Sequence, residues 1–200
     1  MTRYLLALGG CLALTACSSY RTEGEIPACI EADEGVDYPS CPYGTTVGDV
    51  VANATFEGYA SHDRVGEGLQ TVSFADFYDP DGEGPRLLFV NAGAVWCAPC
   101  KEEARELPHI WERLGDKVAF IAVVYEGMPN VVATEKELAS WVKSFKTPFF
   151  TVMDPEGQIL AYFDKSSPPY SMVIDTKTMR IVGQVVGKPD DLEAFIASHL

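Results

Sequence analysis

The run Trp96-Cys97-Ala98-Pro99-Cys100 stands where one kind of sequence pattern gives way to another, and this junction constrains the fold more than any other stretch. Ahead of it, Arg86-Leu87-Leu88-Phe89-Val90-Asn91 is short, apolar and bounded by Gly84-Pro85, as a buried strand is. Behind it, Ala104, Leu107, Trp111 and Leu114 recur at three- and four-residue spacing with charges between them, and Gly115 closes the period, which predicts a helix. Two cysteines separated by two residues at a helix start lie within one turn, so their sulfurs reach bonding distance without rearranging the backbone. Cys97 falls at the first turn, where free N–H groups and the positive end of the helix dipole favour a thiolate, making it the candidate nucleophile. Cys100, deeper and more shielded, is the candidate resolving thiol.

Further along, Val118 to Val124 reads as a second apolar strand. Thr134 with Glu137 three residues on predicts a capping box, opening a helix through Leu138, Trp141 and Val142 that ends before Pro148. Phe149 to Met153 reads as a third strand and Asp154-Pro155-Glu156-Gly157 as a turn. Tyr170 to Asp175 and Arg180 to Val186 form a predicted hairpin, after which Asp190 or Asp191 starts a last helix with Leu192, Phe195, Ile196 and Leu200 on one side. This order predicts an α/β fold with a central mixed sheet covered by helices on both faces. The earlier stretch holding Phe56, Tyr59, Phe74 and Phe77 reads as irregular, Pro108 predicts a kink in the first helix, and Trp111 and Trp141 read as core.

The remaining cysteines follow from the N-terminus. Arg3 and the apolar run from Tyr4 to Ala16 read as an export signal over residues 1–16, too short to span a bilayer. Its end, Leu14-Thr15-Ala16-Cys17, matches the bacterial lipobox, which implies that Cys17 is acylated and becomes the first residue of a lipoprotein; Ser18 after it favours the outer membrane. Six cysteines less Cys11 in the signal and Cys17 under lipid leave Cys29, Cys41, Cys97 and Cys100, in a compartment where disulfides persist. Residues 17–44 lack any sustained apolar period and read as a tether, with a structural Cys29–Cys41 disulfide expected; two free thiols or a second redox pair are the alternatives. The folded domain is expected over 45–200. A net charge of -14 excludes nucleic acid as a partner, since there is no cationic excess to neutralise phosphates. His62, His109 and His199 are scattered and no second close Cys or His pair completes a zinc site, so neither metal nor cofactor is expected.

Val47-Gly48-Asp49, the run from Asn91 to Cys100, and Pro169-Tyr170-Ser171-Met172-Val173-Ile174-Asp175 occur in this order, and over 45–200 the chain resembles the thioredoxin-like proteins of the TlpA/ResA type, membrane-tethered bacterial thiol-disulfide oxidoreductases. The resemblance implies a thioredoxin-like fold in the bacterial cell envelope, facing the periplasm. It also implies exchange with an exported protein dithiol or disulfide and a membrane electron donor. It places Pro169 as a cis proline facing the cysteines, with Trp96 and Pro168 beside it at the substrate site. Pro168 has no N–H to offer an added substrate strand, which predicts weaker or less sequence-tolerant peptide capture than in relatives. Cytoplasmic thioredoxins carry a buried aspartate six residues before the first cysteine, where this chain has Asn91. ResA-like proteins use a glutamate six residues after it, and the matching residue is Glu103, set against the alternative of a solvated acid beside Glu102 and Glu106. Two other functions remain open at this level. One is a peroxiredoxin-like peroxide reductase, although Ala94 stands where those enzymes hold a threonine; the other is a binding module with an inert disulfide. Ala98-Pro99 does not determine the redox direction.

Overall fold

The computed structural model describes residues 38–200. The signal, Cys17 and Cys29 lie outside the described residues, and with Cys29 so does the expected pairing to Cys41. In chain order the elements are β1 (Thr55–Tyr59), β2 (Gln70–Ser73), β3 (Leu87–Ala94), α1 (Ala98–Leu114), β4 (Val118–Met128), β5 (Val131–Val132), α2 (Glu135–Phe145), β6 (Phe150–Met153), β7 (Tyr170–Asp175), β8 (Arg180–Val186) and α3 (Leu192–Ala197). The sheet runs β2-β1-β6-β4-β3-β7-β8, with β5 paired to the far end of β4. Strands β3, β4 and β6 are mutually parallel and the other pairings are antiparallel.

Strand β3 and nearly all of β4 are covered on both faces, which is why they read as continuous apolar runs without alternation. On one face Leu87, Phe89, Val118, Phe120 and Val173 meet Leu107 and Ile110 of α1 and Leu192 and Ile196 of α3. On the other, Leu88, Val90, Ile121, Val123 and Ile174 meet Leu138, Trp141 and Val142 of α2. Phe120 stacks on Phe149 at 5.4 Å and meets Phe89 edge-on at 5.5 Å, both favourable arrangements of the ring quadrupoles. The α/β architecture with a mixed sheet and helices on both faces is therefore as expected.

Three features depart from the sequence reading. Strands β1 and β2 lie in the stretch read as irregular, because Gly58 interrupts the β1 pattern where a Cβ would collide with the Thr151 carbonyl of β6. Strand β3 continues through Ala92, Gly93 and Ala94, small residues whose burial no hydrophobic run announces. Packing begins ahead of Thr45: the Tyr38 hydroxyl donates to the Val51 carbonyl at 2.9 Å and its ring meets Tyr78 edge-on at 5.9 Å. Pro108 lies inside helix α1, where it leaves one helical carbonyl without its usual donor.

Helix α2 opens on the expected capping box, in which the Glu137 N–H donates to Thr134 Oγ1 at 3.3 Å and the Thr134 N–H donates to Glu137 Oε2 at 2.9 Å. Thr134→Ala is expected to lower stability by about 1 kcal/mol. Urea unfolding checks this, the midpoint falling while the slope stays unchanged.

Candidate active site

Alternate residues of β3 point toward α1, and their sizes fall toward the end of the strand. Leu87 and Phe89 pack with Leu107 and Ile110. Asn91 lies against Glu103, and Gly93 against Cys100. A Cβ on Gly93 would stand 3.0 Å from Cys100 Cβ and 3.2 Å from its Sγ, so the first turn of α1 sits this close because residue 93 has no side chain.

Cys97 is the N-cap of α1, in extended backbone, and its Sγ accepts the Cys100 N–H at 3.1 Å. The two sulfurs are joined, with S–S 2.02 Å and Cα–Cα 5.3 Å. Pro99 occupies the first turn, where its missing N–H would have had no helical acceptor. Trp96, Ala98 and Pro99 are exposed around a disulfide that is almost covered, Cys97 being 3% exposed. A disulfide at this position can accept attack from outside, and the sulfur it frees lies at the positive end of a helix.

Glu103 belongs to the buried stripe of α1 with Cys100, Ala104, Leu107 and Ile110, and is fully buried. It is not the solvated acid that Glu102 and Glu106 beside it suggested. Its Oε2 accepts from Asn91 Nδ2 at 2.7 Å; the same amide donates to Ser171 Oγ at 3.1 Å, across the β3–β7 register that sets Asn91 opposite Ser171. Oε1 has no partner among the described residues. Burial pushes the carboxyl up to about 7 against the opposing Asn91 bond, while Glu106 adds to the rise and Lys188 offsets it. Lys188 is itself held by Glu106 at 2.9 Å. A carboxyl so placed can take or give a proton near neutral pH.

Pro169 follows a cis peptide bond from Pro168 and accepts the Gly187 N–H at 2.7 Å on its carbonyl. Because Ala92 stands opposite Tyr170, Pro169 lies one step further along, at the end of the sheet where Gly93 meets the disulfide. Trp96, next to Cys97, donates its indole N–H to Glu126 Oε2 at 3.0 Å. Glu126, Ser171 and Gly93 stand against Trp96, Asn91 and Cys100, and the pattern reading singled out none of them. For Glu126 the signal was present, a lone charge at the end of an apolar run. Among the described residues no helix is long and apolar enough to cross a membrane, and no three His, Cys, Asp or Glu side chains gather as metal ligands.

A mixed sheet with this order, a disulfide capping the helix after β3 and a cis proline before β7 define a thioredoxin-like fold. The chain's similarities fall within that class. Among curated proteins it is 27% identical to the thioredoxin-like protein YneN of Bacillus subtilis, over 54% of this chain and 61% of YneN, so the match spans less than two thirds of that relative. It is 25% identical to the thiol-disulfide oxidoreductase ResA of the same organism, over 68% of this chain and 76% of ResA. No protein-family model matches. Among solved structures, a thiol:disulfide interchange protein DsbE from Chlorobium tepidum superposes with a TM-score of 0.59 at 18% identity, covering 78% of this chain and 99% of that one. The exposed lipoprotein thioredoxin Etrx1 from Streptococcus pneumoniae gives 0.54 at 21% identity, covering 72% and 96%. These neighbours share the fold.

The Glu103 environment has a consequence for stability. Its value of about 7 in the folded chain exceeds the ordinary 4.5, so the folded state keeps a proton that the unfolded state releases. Stability from this source is complete below pH 4.5, falls as pH rises through about 7, and is then constant. Glu103→Gln retains an acceptor for Asn91 and has no charge to bury. In the oxidised protein it is expected to exceed the wild type at pH 8 by on the order of 3 kcal/mol, with the gap closing below pH 4.5. Urea unfolding at the two pH values measures the difference.

Proposed function

We propose that this chain is a membrane-tethered thiol-disulfide oxidoreductase that exchanges disulfides with exported protein partners through Cys97 and Cys100. The observation that carries the reading is the disulfide at the N-cap of α1, with the buried Glu103 carboxyl one helical turn further in. ResA, 25% identical, is itself a thiol-disulfide oxidoreductase, which agrees with the reading. Tethering rests on the lipobox at Cys17, and the small disulfide of the tether on Cys29 and Cys41.

In the reducing direction the Cys97 thiolate attacks one sulfur of the partner's disulfide, forming a mixed disulfide and releasing the partner's other sulfur as a thiolate. Cys100 then gives its proton to ionised Glu103 and attacks Cys97 Sγ. The Cys97–Cys100 bond forms, the mixed disulfide breaks, and the partner leaves with two electrons and both sulfurs reduced. Glu103 returns its proton to solvent. In the oxidising direction the same bonds exchange in reverse. The helix N-terminus stabilises the Cys97 thiolate, and Trp96 and Pro169 border the approach to it.

Equilibration with glutathione and dithiothreitol buffers tests this function. The native protein is expected to poise between about -120 and -270 mV, the span of known exchangers. A disulfide that resists reduction until the protein unfolds would falsify the reading in favour of an inert staple.

Pro168 adds a prediction about substrate capture. Lacking an N–H, it leaves one strand hydrogen bond to an extended substrate unmade. With Cys100→Ser to trap the mixed disulfide, Pro168→Thr is expected to slow displacement of a bound cysteine peptide by dithiothreitol; an unchanged release rate removes the assignment.

A further inference from the structure

Trp96 adjoins Cys97 in the chain, the β3–β7 register sets the cis-proline segment at the same end of the sheet, and one connected set of polar contacts joins the two. Glu126 lies near the end of the buried part of β4, its carbonyl accepting the Val95 N–H at 2.8 Å. Its Oε2 takes the Trp96 indole N–H at 3.0 Å, and its Oε1 faces Lys165 Nζ at 3.5 Å. Lys165 lies three residues before Pro168. Its ammonium also donates to Asn130 Oδ1 at 3.0 Å, in the turn between β4 and β5, and its carbonyl accepts the Tyr125 hydroxyl at 3.1 Å. Two residues earlier, Phe163 stacks on Tyr170 at 4.6 Å, so the segment is seated on the core just before Lys165.

The Glu126 side chain is 3% exposed and that of Lys165 is 18% exposed. A carboxylate so buried is retained only with partners, and removing one of them weakens what holds the charge in place. Glu126 therefore holds Trp96 and the segment before Pro168 to a common point, and a shift of either strains the same carboxylate.

We propose that Glu126 and Lys165 form a brace that sets the spacing between Trp96 and Pro168, and so act as positioning residues for docking a disulfide-bearing protein segment against Cys97. The inference rests on the exchange function proposed above and adds what governs substrate affinity at that site. Its target is the docked protein chain. A small disulfide that reaches the sulfur without lying between Trp96 and Pro168 is indifferent to the brace.

The test is steady-state reduction of insulin, with dithiothreitol regenerating the dithiol, beside reaction of the reduced protein with Ellman's reagent as the small disulfide. Lys165→Met keeps the side-chain length and removes the charge. It is expected to raise KM for insulin about tenfold, the scale of coupling within one polar network. At the same time kcat and the Ellman's rate are expected to stay within about twofold, because binding and not the chemical step is affected. Lys165→Arg, which keeps the cation, restores the wild-type KM. Glu126→Gln combined with Lys165→Met is expected to be no worse than the more affected single variant, since both remove the same contact. The indole N–H resonance of Trp96 supplies a readout without turnover, expected to move in Lys165→Met and to return in Lys165→Arg. An unchanged KM in Lys165→Met overturns the brace, as does a fall in kcat and Ellman's rate equal to the change in KM. A wild-type protein that reduces neither disulfide overturns the exchange function itself.

Discussion

The close seating of the α1 N-terminus on β3 is the constraint on which the site depends. Helix and strand approach one another as the strand side chains facing α1 shorten from Phe89 through Asn91 to Gly93. At Phe89 the gap is filled by an apolar ring. At Asn91 it holds an amide that can meet a carboxyl, and at Gly93 it admits only backbone. A larger residue at 93 would lift Cys100, and an apolar residue at 91 would leave Glu103 buried with no donor at all. One strand face thus sets the position of a sulfur and the ionisation of an acid.

The energetic burden of this arrangement falls on Glu103. With one oxygen accepting from Asn91 and the other without a partner among the described residues, the ionised carboxyl is only half satisfied in a site that water does not reach. Burial, which withdraws the charge from water, is the physical source of its upward shift, and the Asn91 bond only partly opposes it. Lys188 and Glu106 act on it from the outer side with opposite signs, so the surface around the acid neither strongly favours nor strongly opposes ionisation.

How much of this was legible in the sequence depended on whether the signal was periodic or spatial. Helix and strand order, the cysteine pair at a helix start, the Thr134 capping box and the bounds of β7 and β8 all come from local patterns, which tertiary packing preserved. Strands β1 and β2 were missed because a glycine demanded by close backbone approach broke the alternation. Glu103 was half legible. It lies three residues after Cys100 and four before Leu107, on the buried stripe, yet Glu102 and Glu106 make the same stretch look like a charged surface. The contact from Glu126 to Lys165 joins a strand end to a distant loop, and no local pattern reports such a pairing.

The two cysteines inherit different electrostatic surroundings from the same helix. Cys97 sits at its open N-terminus, where unpaired N–H groups and the dipole stabilise negative charge. Cys100 is one turn in, packed on Gly93 and near a carboxyl that, once ionised, opposes a second negative charge beside it. Environments that separate neighbouring titratable groups also divide their roles. In the proposed exchange, the outer sulfur attacks first, and the inner one becomes a nucleophile only as its proton leaves. A pair of identical side chains thereby acquires an order of reaction from its place on one helical turn.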